Sequence, residues 1–126
     1  MEEKRSSQRI KVILPAYFLS ADNNELSIAT TVDISANGIC LSCSENMPIG
    51  KEFKLQTILP AGDKISMGVK VIWAREMESE TPRVKVYRVG LKIINSAKPD
   101  ETKFVQFYSS QLPASFIHSR PQERIL

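Results

Sequence analysis

A small antiparallel β-barrel with one C-terminal helix is the fold this sequence predicts, and three observations carry it. At least five segments rich in β-branched and aromatic residues alternate in polarity, short turn signals separate them, and no crossover long enough for parallel pairing intervenes. One stretch of helical periodicity follows the last of them. A length of 126 residues suits a single domain, and 42% hydrophobic with 25% charged residues is the composition of a globular chain with a real core.

In chain order, residues 1–9 read as a flexible polar leader. After Met1, residues 2–8 offer no apolar side chain to offset the ~1–2 kcal/mol per residue that ordering a backbone costs. The domain proper spans 10–112. Its first strand is "IKVILPAYFL" (10–19), where Pro15 marks an edge or a bulge. "TTVDIS" (30–35) and "GICLSC" (38–43) flank a turn at Asn37-Gly38, residue types suited to positive φ. "EFKLQTIL" (52–59) places Phe53, Leu55, Thr57 and Leu59 on one face, and Pro60-Ala61-Gly62-Asp63 turns the chain back. "ISMGVKVIW" (65–73) then aligns Ile65, Met67, Val69, Val71 and Trp73 against Ser66, Gly68 and Lys70, which predicts a core position for Trp73. In "RVKVYRVGLKII" (83–94), Val84 and Val86 are out of phase with Val89, Leu91 and Ile93, and a bulge near Tyr87 would account for the shift. The helix is "PDETKFVQFYSSQL" (99–112). Pro99, Asp100 and Glu101 suit its first turn, and Phe104, Phe107, Tyr108 and Leu112 form its apolar stripe. Residues 113–126 form a tail with no assigned structure.

Composition narrows the function as well. No apolar run approaches the ~18 residues of a membrane span and no signal region follows the charged start, so the expected compartment is the cytoplasm, without membrane insertion. A net charge of +3 is too small for a generic nucleic-acid binder, and no aromatic and basic residues interleave as a single-strand-binding face requires. Cys40 and Cys43 spell CxxC without a second pair, and the one histidine, His118, lies far away in the tail. Three apart on a strand they point to opposite faces, so we expect two ordinary strand cysteines, one of them buried, and no metal. With no HExxH, no nucleophile elbow and no phosphate loop, neither catalytic residues nor a cofactor are expected. Binding is the better expectation.

Two polar clusters remain. Arg5 and Arg9 form RxxxR in the leader, and Asp33, Ser35 and Gly38 form DxSxxG within "TVDISANGICL". Taken singly, the first reads as a solvated tail and the second as a capped turn. Together, in this order and at these strand boundaries, they are the signature of the PilZ domain family, which this sequence resembles over residues 4 to 112 with no motif position substituted. "VKVIWAR" is similar to the family's Val-x-Trp strand and "YRVGLKII" to its closing glycine-bearing strand.

The resemblance implies a split-barrel fold and a non-enzymatic receptor for the bacterial second messenger cyclic di-GMP. The ligand would be held by Arg5, Arg9, Asp33, Ser35 and Gly38, with Lys4 and Asn37 as a second tier. Each arginine fork can meet a guanine O6/N7 edge, grip a phosphate or stack on a base. Asp33 offers acceptors to guanine N–H groups or to an arginine, Ser35 can bond phosphate or backbone, and Gly38 allows close approach. A basic residue at Lys4 implies a stacked pair of ligand molecules. The output would pass to an unidentified protein effector in motility, pilus or exopolysaccharide control. A PilZ-fold adaptor working by protein contacts without nucleotide is the alternative, and the oligomeric state stays open.

Overall fold

The computed structural model describes residues 8–20, 25–81 and 83–113. Seven strands and one helix follow in order: β1 (Ile10–Lys11), β2 (Pro15–Leu19), β3 (Leu26–Ser35), β4 (Gly38–Cys43), β5 (Glu52–Ile58), β6 (Lys64–Met77), β7 (Val86–Asn95) and α1 (Lys98–Ser110). The sheet runs β1-β3-β2-β5-β6-β7-β4, and a further β3–β4 pairing closes six of the strands into an antiparallel ring. Closure leaves those six strands without a free edge. The mainly β class, the barrel and the C-terminal helix are as the sequence predicts.

The predicted strand over 10–19 is broken in two, and both pieces pair with β3. Ile10 and Lys11 lie opposite Ile34 and Asp33, while Pro15 to Leu19 lie opposite Thr30 to Leu26. Buried Thr31 stitches the interruption: its hydroxyl accepts from the Leu14 N–H at 2.8 Å and donates to the Val12 carbonyl. Pro15, which has no N–H to give the ladder, begins the second piece.

Inward positions alternate as strands require. Ile34, Ile39, Leu41, Leu55, Ile65, Val69, Val71, Val89 and Leu91 are essentially inaccessible and form one core. Burying each such side chain contributes on the order of 1.5–3 kcal/mol. The predicted turn after Leu59 is present. Gly62 donates to the Leu59 carbonyl and adopts φ 103°, a conformation that disfavours any residue with a Cβ.

Helix α1 carries Pro in its first turn with Asp100 and Glu101 beside it, where anionic side chains complement the dipole. Asp100 also accepts from the Ser66 N–H of β6 at 3.2 Å, fixing the helix start to the barrel. Phe104 and Tyr108 of α1, with Leu112 just beyond it, join the same core as the strand interior, and Phe107 packs against it.

Two expectations need correction. The ladder is regular at Tyr87, which faces Cys43 and Glu76; the register shifts instead at Ile72 of β6 and at Ile94 of β7. Val84, which suggested a phase change, lies before β7 begins and is half exposed. Both cysteines, and not one, are buried as free thiols.

Candidate functional site

Two bulges decide what the outer surface displays. On β3, Thr31 faces Leu41 and Asp33 faces Cys40, so Val32 is an extra residue in the ladder. Thr31 points into the core; without the extra residue Asp33, two positions on, would follow it inward. On β6, Val71 faces Leu91 and Trp73 faces Gly90, with Ile72 the extra residue. This corrects the core position expected for Trp73. The bulge moves it to the outer face and gives its inward place to Ala74, which packs against the core.

Consecutive pairings now line up Trp73, Gly90, Cys40, Asp33 and Lys11 across β6, β7, β4, β3 and β1 on one outward row. With strands ~4.8 Å apart, such a row spans roughly 19 Å. One row to one side sit Arg75, Arg88, Ser42 and Thr30, and one row to the other sit Lys70, Lys92, Gly38 and Ser35. Two arginines and two lysines thus flank the β6–β7 part of a row whose one carboxylate is Asp33.

Arg9 completes the arrangement. Its Nη1 meets Asp33 Oδ1 at 2.5 Å, with side chains 50% and 21% exposed. An ion pair this open to water contributes only about 0.2–1 kcal/mol, so an incoming anion or base edge can re-form it at little cost. Among the described residues one nitrogen is engaged, and the guanidinium fork has further donors to offer.

Trp73 lies across Gly90, where a Cβ would overlap the indole. The glycine therefore lets the ring rest on the strand. The Arg75 guanidinium is 5.8 Å from the ring centroid, within cation–π range. Cys40 faces outward yet is only 5% exposed, so neighbouring side chains lie over it. Burial pushes its thiol up from the ordinary value and Asp33 adds to this, while Arg88, Arg9 and Arg75 oppose it. Cys43 points into the core, its thiol also raised by burial and bonded to the Glu45 carbonyl at 3.3 Å.

At the β3–β4 turn, Ser35 is buried and its hydroxyl makes only long contacts, 3.4 Å to Asn37 Oδ1 and 3.5 Å to the Gly38 carbonyl. Asn37 is exposed, and its carbonyl accepts from the Ile93 N–H at 2.9 Å. Gly38 differs from expectation in its reason. Its φ is not positive; instead a Cβ there would stand 2.9 Å from the Leu91 carbonyl, so the β4–β7 approach requires glycine.

The structure thus brings Arg9, Asp33, Ser35, Asn37 and Gly38 to one corner of the barrel. Lys4 and Arg5 lie outside the described residues, as does most of the expected leader and nearly all of the tail. Arg75, Arg88, Gly90 and Lys11 are additions that sequence reading did not single out. Arg88 and Gly90 share a phase opposite to Val89 and Leu91, which marks them as outward, but only the register reveals what they meet.

A groove of about 340 Å³ lies behind the turn, between Asn37 and α1. Among the described residues Asp100 and Glu101 line it and no lysine or arginine does, a lining that does not suit an anionic ligand. Among the described residues no three His, Cys, Asp or Glu side chains gather as metal ligands, and no helix is long and apolar enough to cross a membrane.

A family model for the PilZ domain matches residues 3–110. Among solved structures, the chain is similar to the PilZ domain with c-di-GMP of YcgR from Escherichia coli, at 15% identity and a TM-score of 0.67, covering 98% of this chain and 99% of that one. It is also similar to the inhibitor of motility MotI/DgrA of Bacillus subtilis, at 18% identity and a TM-score of 0.66, over 84% of this chain and 50% of that one. No curated protein matches.

Proposed function

This chain belongs to the PilZ domain family, and we propose that it is a receptor that binds cyclic di-GMP on the outer face of β3, β4, β7 and β6 and relays occupancy to a protein partner. The observation that carries this reading is the pair of bulges at Val32 and Ile72, which turn an acceptor and an aromatic ring to the same cation-lined face. A cyclic dinucleotide presents two phosphodiesters and two guanines, and each class of group meets its complement there. Arg9, Arg88 and Arg75 supply charge and forked donors for phosphate or for a guanine O6/N7 edge. Asp33 accepts guanine N–H groups while orienting Arg9, and Trp73 offers a flat face to a base. Ser35, whose hydroxyl has no short partner among the described residues, can turn to a phosphate, and Gly38 keeps the turn close to β7.

Arg5 and Lys4 enter on the motif alone. Arg5 is the second fork, and Lys4 favours a stacked pair of ligand molecules. The structural neighbour named as an inhibitor of motility makes motility the output to examine first, ahead of pilus assembly or exopolysaccharide secretion, in a bacterial cytoplasm.

Calorimetric titration tests the reading. Cyclic di-GMP should bind at micromolar or tighter concentrations, with two molecules per chain, and single-stranded DNA of equal charge should not compete. Absence of binding to the dinucleotide would leave the alternative, an adaptor acting by protein contacts alone.

A further inference from the structure

Helix α1 reaches the arginine arm directly. The Tyr108 hydroxyl donates to the Gln8 backbone carbonyl at 2.5 Å, across 100 positions of sequence. Its ring belongs to the core and the residue is 6% exposed, so the phenol oxygen is held in place by packing. The next residue, Arg9, pairs with Asp33, and the two after it form β1 against Ile34 and Asp33. A strand of two residues is a weak anchor by itself. The chain carrying Arg9 is therefore fixed at two points, the β3 ladder on one side of the arginine and Tyr108 on the other.

We infer that Tyr108 is a positioning residue for the ligand site: its hydroxyl fixes the entry of the arginine arm so that Arg9 arrives over Asp33. A buried phenol needs a hydrogen-bond partner, and here the partner is the main chain one residue before the functional side chain. Any movement of the arm on binding is then felt by α1, and by reciprocity a contact on α1 changes ligand affinity. The inference rests on the cyclic di-GMP reading for its effect on affinity, but the tether itself does not.

Tyr108→Phe removes the oxygen and keeps the ring. Because Gln8 is exposed, its released carbonyl can turn to water, so no buried group is orphaned and the thermal midpoint should fall by no more than about 5 °C. In the free variant, hydrogen exchange at Ile10 and Val12 should quicken relative to β6. With cyclic di-GMP, the variant should bind about 3- to 10-fold more weakly. In an Arg9→Ala background the same change should matter less than about 1.5-fold, since the tether acts through Arg9. Phe104→Leu, which loosens the helix without touching the arm, should lower the midpoint and leave exchange at Ile10 and Val12 unchanged. Exchange in Tyr108→Phe indistinguishable from the parent would overturn the tether, whether or not nucleotide binds. Binding losses that simply add to those of Arg9→Ala would overturn its route through the arginine. Failure of the parent protein to bind would instead strike the functional reading, with the exchange result still deciding the tether.

Discussion

An Arg9→Ala variant should fold as the parent does and lose most of its affinity for cyclic di-GMP. The two halves of this expectation have different physical origins. In the free protein the Arg9 side of the Arg9–Asp33 pair is half exposed to water, and such pairs contribute about 0.2–1 kcal/mol, so the melting temperature should move by only a few degrees. In the complex the same guanidinium makes charge-assisted bonds to the ligand, worth on the order of 1.5–3 kcal/mol, which is roughly a 10- to 150-fold loss of affinity. Calorimetry and thermal melts on the same preparation measure both. Undiminished affinity in a well-folded variant would remove Arg9 from the site, and a collapsed melt would make it structural.

Gly90→Ala should disturb both stability and binding, although it adds a single methyl group. The new Cβ would occupy space taken by the Trp73 indole, a rigid ring that cannot yield at a flexible tip. Overpacking of this kind costs about 1–3 kcal/mol. The indole must lift from the strand, so its fluorescence should shift and the surface offered to a base should be lost, with stacking worth roughly 1–3 kcal/mol per base. The double variant Gly90→Ala/Trp73→Ala decides the cause. With the ring gone, alanine at 90 has room, and its further cost should drop below about 0.5 kcal/mol. A penalty that persists in the double variant would place the requirement for glycine elsewhere.

The sequence made the local features legible. The β3–β4 hairpin, the turn before Asp63 and the apolar stripe of α1 are written in strand alternation by two, in local turn residues and in helical spacings of three and four, and the structure has all three. What it hid depends on register. A bulge is one extra residue in a ladder, and whether that residue is Val32, Ile72 or Tyr87 is settled by the register with the partner strand and not by the residue's own neighbours in sequence. Strict alternation from Val71 carries Trp73 inward, and the extra residue Ile72 turns it outward. Arg75 and Arg88 are 13 residues apart in sequence, yet they face each other across β6 and β7. Alternation places Cys40 and Cys43 on opposite faces, which the structure has, but does not show that outward-facing Cys40 is covered all the same. The Tyr108 contact with Gln8 leaves no local trace at all.

The central claim is the place of the site, and chemical-shift mapping during titration with cyclic di-GMP tests it most directly. The account predicts that the largest changes fall on Asp33, the amides from Ser35 to Gly38, Cys40, Gly90 and the Trp73 indole N–H. The opposite outer face, around Tyr17, Leu19 and Ile28, should stay unchanged. Shifts centred instead on the groove between Asn37 and α1, or on the Tyr17 to Ile28 surface, would contradict it.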